Sequence, residues 1–342
     1  MKKTLLALSL VGMCFVGCGD KISDDMVKKY EANLNTNFKE ALLEIPNDAG
    51  VRVNFNDFKC SKQKESVNCV SDALKINIQG AEAITVDKIT VNDNGFYNGK
   101  ATGLISLKDL HKDMMFENLY SSAKFQGVKL SDAFKGMAAM IAMSEPKFSF
   151  LNSLANGVYD LDINTNIMKN NEVNYDIVLN NIINKDSLSF KFNGKVLDYF
   201  YEITDKLGLR YDVEKQNMTE PNIEMIANLG LTQEDIAKIF SISNVKMDLV
   251  MQDLLSLKEV LNSEFEFAPN DFKETFGDIV NEFINNTPHK LNFDIKIKEG
   301  FDVFKNYEND KLMLENVTLN VNGKDMNTRV KTMIEKEESK SE

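Results

Sequence analysis

Val173-Asn174-Tyr175-Asp176-Ile177-Val178-Leu179, followed by Leu188-Ser189-Phe190-Lys191-Phe192, sets an apolar side chain at every second position. A period of two puts alternate side chains on opposite faces of an extended chain, so each stretch reads as a strand with one dry and one wet face. The same alternation recurs outward in both directions. Before it lie Val51, Val53, Phe55; Leu74, Ile76, Ile78; Ile84, Val86; Ile89, Val91; Leu104 and Ile105 with Leu107; and Tyr159, Leu161, Ile163. After it lie Val245, Met247, Leu249; Leu291, Phe293, Ile295, Ile297; Leu312, Leu314; and Val317, Leu319, Val321. So many short alternating runs predict a large antiparallel sheet. Asn92-Asp93-Asn94-Gly95 reads as a hairpin turn.

Helical spacing interrupts the strands. Met26, Tyr30, Leu34, Phe38 and Leu42 predict a helix from Ser23 that stops before Pro46. Further helices are expected at about Ser131 to Met143, Lys195 to Leu207, Thr232 to Phe240, Leu254 to Leu261, Asp271 to Asn285 and Asp325 to Glu337, with the charged residues after Lys331 fraying into solvent. The fold class is α+β, with helices covering one face of the sheet. Asn-Gly-Lys occurs at 98–100, 193–195 and 322–324, each time after a run read as a strand, which hints at a repeated strand-turn-strand or strand-turn-helix unit. Coincidence and internal duplication explain this equally well.

The composition excludes several classes. Of 342 residues, 43% are apolar, ample for a packed core, so disorder and collagen are ruled out. The net charge of −12 repels polyanions, and no basic run carries interleaved aromatics, so nucleic acid is not a partner.

Lys2 and Lys3 precede an apolar stretch from Leu5 to Gly17 that is too short to span a bilayer, which reads as an export signal over residues 1–17. It ends in Phe15-Val16-Gly17-Cys18, like the bacterial lipobox, where a small residue precedes a Cys that receives diacylglycerol. Cys18 is the candidate lipid anchor; Cys14 follows the bulky Met13 and fits less well. The expected partition is signal 1–17, anchor, tether and helix 18–48, one half of the sheet with a disulfide hairpin 49–155, and the other half with helices 156–342. Gly19, in place of the Asp that retains many lipoproteins at the inner membrane, directs the expectation to the outer membrane. Only Cys60 and Cys69 then remain, in a compartment that favours disulfides, with no CxxC spacing or nearby His to suggest redox or metal chemistry. They are expected to pair across a hairpin.

Little else carries chemistry. His111 and His289 stand in no two-His spacing and read as solvated surface residues, and no GxSxG elbow, P-loop or GxGxxG joins a strand to a helix. Asp160, Asp162 and Asn164 begin like a calcium loop, but Thr165 and Asn171 occupy the places of the required Gly and Glu, so a polar strand face is preferred. No cofactor, metal or enzymatic activity is expected. The apolar constellations say more. Phe272, Phe276, Ile279, Val280, Phe283 and Ile284 form a stripe on one helix, and Met137 and Met140 stand in a run of small and flexible side chains on another. Core packing is the simpler reading. The functional one is an apolar basin that receives a lipid, an apolar peptide or a partner surface.

Gly17-Cys18-Gly19, Val27-Lys28-Lys29-Tyr30-Glu31, Phe55-Asn56-Asp57-Phe58-Lys59-Cys60 with Cys69, and the order Ile89-Thr90-Val91, Phe96 to Ala101, Ile105 to Lys108 resemble the JlpA-type surface lipoprotein adhesins of Gram-negative gut bacteria. The resemblance implies a curved, unclosed half β-barrel with a concave apolar basin, displayed outside the outer membrane and engaged with host cells. It carries Cys18 over as the lipid site and Cys60 and Cys69 as the disulfide, and carries over no catalytic residue. Asn285-Asn286-Thr287 and Asn316-Val317-Thr318 lack the acid that bacterial N-glycosylation wants, which departs from a glycan-mediated role. Two functions follow as expectations: an adhesin that binds a host-cell surface protein, or a periplasm-facing module that handles lipids or lipoproteins.

Overall fold

A computed structural model describes residues 22–43, 50–63, 65–94, 100–113, 118–168, 170–214, 217–219, 235 and 238–341. The signal segment, Cys18, Gly95, most of the helix expected at Thr232 to Phe240, and Asn98-Gly99 lie outside them. The strands are β1 (Val51–Phe55), β2 (Lys59–Lys62), β3 (Val67–Ser71), β4 (Leu74–Ile78), β5 (Ala81–Val86), β6 (Lys88–Asp93), β7 (Leu104–Ser106), β8 (Asn118–Leu130), β9 (Tyr159–Met168), β10 (Glu172–Asn181), β11 (Ser187–Val196), β12 (Arg210–Asp212), β13 (Asn217–Met218), β14 (Phe240–Met251), β15 (His289–Ile297), β16 (Val317–Val321) and β17 (Lys324–Asp325). The helices are α1 (Asp24–Leu43), α2 (Leu107–Lys112), α3 (Asp132–Ser144), α4 (Phe150–Asn156), α5 (Asp198–Lys206), α6 (Leu257–Phe267), α7 (Asn270–Asn285), α8 (Val303–Asn306), α9 (Asp310–Asn316) and α10 (Asn327–Ser341).

The main sheet follows the order β1-β4-β5-β8-β9-β10-β11-β14-β15-β16-β17, with β2, β3 and β6 joined to it through β8. The path begins at β1 and ends at β17 without returning on itself, so the large antiparallel sheet is not closed into a barrel. A second, three-stranded sheet pairs β13, β12 and β7. The chain forms two compact units: residues 1–127, 162–176 and 193–241 in the first, and 128–161, 177–192 and 242–342 in the second.

In the first unit, α1 lies against β2, where Met26, Tyr30 and Leu34 are buried one helical turn apart. Tyr30 donates from its hydroxyl to the buried Asp93 of β6 at 3.2 Å. Asn35 makes the contact specific: its side chain accepts from the Phe58 N–H at 2.7 Å and donates to the Phe58 carbonyl at 3.1 Å, as a neighbouring strand would. Cys60 and Cys69 face each other on β2 and β3 with Cα atoms 4.0 Å apart and are bonded through sulfur. The Gln63 N–H to Ser66 carbonyl bond fixes the ladder phase, which makes Cys60 and Cys69 a non-hydrogen-bonded pair, the closer of the two kinds. Cys60→Ser should lower stability by about 2.5 to 3 kcal/mol on the chain-entropy account. A melting curve that matches the wild type would remove the bridge from the stability account.

Several sequence expectations change here. Asn94 donates to the Tyr120 carbonyl of β8, and β6 pairs with β3 and β8 while β7 pairs with β12, so the segment after β6 crosses to another sheet rather than forming a hairpin. Leu107 begins a helix because the Ser106 hydroxyl caps the Asp109 N–H at 3.0 Å. Leu312 and Leu314 also lie on a helix, α9, whose first turn is capped by the Asn309 side chain at the Leu312 N–H. Asn193-Gly194-Lys195 is internal to β11, whereas Asn322 and Gly323, with φ of 51° and 76°, form the turn from β16 to β17. The polar face of β9 is as expected: Asp162 accepts from Lys124 and Asn164 from Tyr120.

Neither histidine is a solvated surface residue. His289 is buried and bonds at 2.7 Å to the Phe283 carbonyl, one of the last four of α7 that lack a helical partner. His111 is half-buried; its Nε2 lies 3.1 Å from the Met168 carbonyl, which can only accept, so Nε2 carries a proton. Its Nδ1 lies 2.5 Å from the Tyr201 hydroxyl, which also reaches Asn171. Burial, with a smaller contribution from Asp198, pushes the Tyr201 phenol up to about 12, so it remains a donor at neutral pH.

In the second unit, α7 packs on β15 and buries Ile279, Phe283 and Ile284. Ile279 joins Val321 and Met326, while Phe283 and Ile284 join Leu254. The tail does not fray at Lys331: α10 continues to Ser341, and Lys336 donates to Glu274 of α7 at 2.5 Å. Arg329 grips Asp278 through two bonds of 2.6 and 3.0 Å, and Lys324 bridges Asp278 and Glu282. The Arg329 guanidinium, with Lys324, holds the Asp278 carboxyl well below its ordinary value of 3.8. A depressed acid stabilises the fold above its unfolded value and loses that contribution as pH falls through the folded value. The gap in melting temperature between the wild type and Arg329→Gln should therefore be full at neutral pH and shrink below 3.8, leaving in strong acid only what the Arg329 bond to the Thr275 carbonyl contributes. A gap that persists unchanged into strong acid would refute this.

Candidate interaction surface

The candidate basin residues separate into two groups. On α7, Ile279 is only 3% exposed and Phe283 is buried; Phe276 and Val280 pack against these cores; Phe272 at the helix start remains exposed. That stripe is mainly the core contact of α7 with the sheet, because the strands beneath it supply the opposing apolar face. Phe272 continues outward as an aromatic ladder, 4.9 Å from Phe276 and 6.4 Å from Phe265 of α6, ring centre to ring centre.

Helix α3 behaves differently. Its sequence, Asp-Ala-Phe-Lys-Gly-Met-Ala-Ala-Met-Ile-Ala-Met-Ser, is rich in good helix formers, so it folds locally without needing a buried stripe. None of its residues is buried. Met137, Met140, Ile141 and Met143 all project outward, Met140 64% and Met143 83% exposed. The spacing of three and four places Met137, Met140 and Ile141 on one face. The helix is held from behind by α4 and the turn Pro146–Phe148, and this layer is tied to the α6 side by the Phe150 N–H to Ser256 hydroxyl bond at 2.9 Å.

Among the described residues, fourteen of the sixteen large hydrophobics that remain exposed belong to the second unit, four of them on α3. Methionine suits such a surface, since its unbranched, polarisable side chain adapts to an uneven partner. Cys18 lies outside the described residues. Among the described residues, no helix is long and apolar enough to cross a membrane, and no three His, Cys, Asp or Glu side chains gather as a metal set. The sequence reading named Met137 and Met140 as basin candidates from their run of small and flexible neighbours; the structure leaves both exposed, along with Met143 of the same run.

The family described as an adhesin from Campylobacter, JLPA, matches residues 20–335, nearly the whole length that follows the leader-like segment. The chain belongs to that family. No curated protein matches it.

Proposed function

We propose that the protein is a lipid-anchored adhesin on the outer-membrane surface that binds a host-cell surface protein, with no catalytic step and no cofactor. The observation that carries the reading is the gathering of exposed apolar side chains, Met137, Met140 and Met143 foremost, on the second unit of a chain that belongs to an adhesin family. The leader ending at Gly17-Cys18 supports the anchor, because several acyl chains, at about 0.8 kcal/mol per buried methylene, hold a protein firmly to a bilayer.

Antibody labelling of intact cells tests the placement. The wild type should be labelled without permeabilisation, and Cys18→Ser should leave the membrane fraction. Labelling that appears only after the outer membrane is opened would overturn surface display. The methionine-rich face also favours a second reading, a periplasm-facing lipid-binding or lipoprotein-handling module. Native mass spectrometry distinguishes it: a retained acyl lipid supports that reading, and its absence counts against it.

A further inference from the structure

We propose that the turn between β10 and β11 is a preformed apolar anchor that seats in an apolar cleft on the partner protein; this deepens the adhesin reading and rests on it. Ile182 and Ile183 stand side by side at the tip, 46% and 62% exposed. Both keep much of their apolar surface in solvent, and their stiff β-branched side chains lose little freedom when a partner closes over them.

The turn beneath them is built to be dried. All six backbone N–H groups from Asn181 to Asp186 already have partners. Asn181 donates to the Asp186 carbonyl, Ile182 to the Val158 carbonyl and Lys185 to the Asn181 carbonyl. Ile183 and Asn184 donate to the Asn181 side-chain oxygen, and Asp186 donates to that of Asn184. The Ile182 carbonyl takes the Lys185 ammonium at 3.2 Å, and the Lys185 carbonyl takes the Gln252 amide at 3.4 Å. Asp186 is held by the Gln252 N–H at 2.7 Å and the Asn184 amide at 2.6 Å. Lys185 itself sits at a φ of 68°, a left-handed conformation that these bonds stabilise. Water can therefore leave the tip without orphaning a backbone donor, which is the main cost of burying a turn.

The surrounding charge selects the occupant. At the turn exposed Lys185 is offset by Asp186, and the segment tied to it through Gln252 carries the exposed Asp253. An apolar centre with a mixed-charge rim is the anatomy of a protein interface, whereas attraction to an anionic bilayer needs an excess of cations.

The test uses the full-length lipoprotein displayed on otherwise non-adherent bacteria. The probes are cultured epithelial cells, intact or shaved with protease, and vesicles of equimolar phosphatidylcholine and phosphatidylserine. Wild-type bacteria should attach to intact cells and not to shaved ones. Ile182→Asp/Ile183→Asp should reduce attachment by about tenfold or more, as expected for losing a central anchor, while Leu104→Asp in the first unit should not. The Ile182→Thr/Ile183→Thr pair keeps the β-branch, so a drop in attachment with an unchanged melting curve cannot come from misfolding. Wild-type attachment by both double variants would overturn the anchor and leave the adhesin reading standing. Vesicle binding lost in the variants would overturn the protein cleft in favour of a bilayer, and failure of the wild type to attach would overturn the adhesin reading together with this one.

Discussion

Phe58→Ala should destabilise the first unit by about 3 to 5 kcal/mol, the range for deleting a buried aromatic ring. Phe58 is 0% exposed and lies between β1 and β2, beneath α1. Its ring meets the Phe38 ring edge-on at 5.4 Å and the Phe55 ring at 6.0 Å, so the truncation forfeits ring contacts on two sides and leaves a void that the disulfide-pinned hairpin cannot collapse to fill. The Asn35 clasp on the Phe58 backbone would survive, so the loss reports the ring alone. Denaturant unfolding followed by hydrogen exchange in α1 and β3 measures it. A loss below about 1 kcal/mol would mean that α1 docks without this ring, against the usual cost of a core cavity.

Gly194→Val should cost about 3 kcal/mol or more, at the upper end for overpacking. Gly194 is buried within β11, and a Cβ there would run into the Ser241 carbonyl oxygen and the Phe240 ring of the neighbouring β14. A flexible side chain could swing away, but a strand carbonyl cannot move without breaking the ladder. The variant should show faster amide exchange along β11 and β14, or fail to accumulate. Wild-type exchange would show that the two strands are less closely apposed than the glycine indicates. The position also explains a misreading. Asn193-Gly194 looks like a turn from its residue types alone, and only the ring across the strand shows why a glycine is needed inside a sheet.

The sheet was legible because a half-buried strand writes its two faces into alternate residues. Val173 to Leu179 and Leu291 to Ile297 fall on β10 and β15 as read. Short runs were ambiguous. Leu312 and Leu314 fit a strand or a helix equally, and the Asn309 cap decided between them. The thirteen-residue β8 was not read at all, because Ser121, Ser122, Ala123 and Gly127 blunt its alternation. Cys60 and Cys69 were legible as a bridge from spacing and number. The divided fate of the apolar stripes was not. Ile279 and Met140 are alike in hydrophobicity, and whether a strand lies underneath is a property of tertiary packing that no local pattern records. The burial of His289 was hidden for the same reason: its partner is a helix-end carbonyl six residues away.

The Glu31 side chain takes the outward-pointing Cys60 N–H of β2 at 2.6 Å, and α1 lies along that strand. Among the described residues β2 pairs with β3 alone, so without the helix it would present an open ladder to any extended chain. With Glu31 on the Cys60 N–H and Asn35 on the neighbouring Phe58 backbone, a second extended chain finds this edge already occupied.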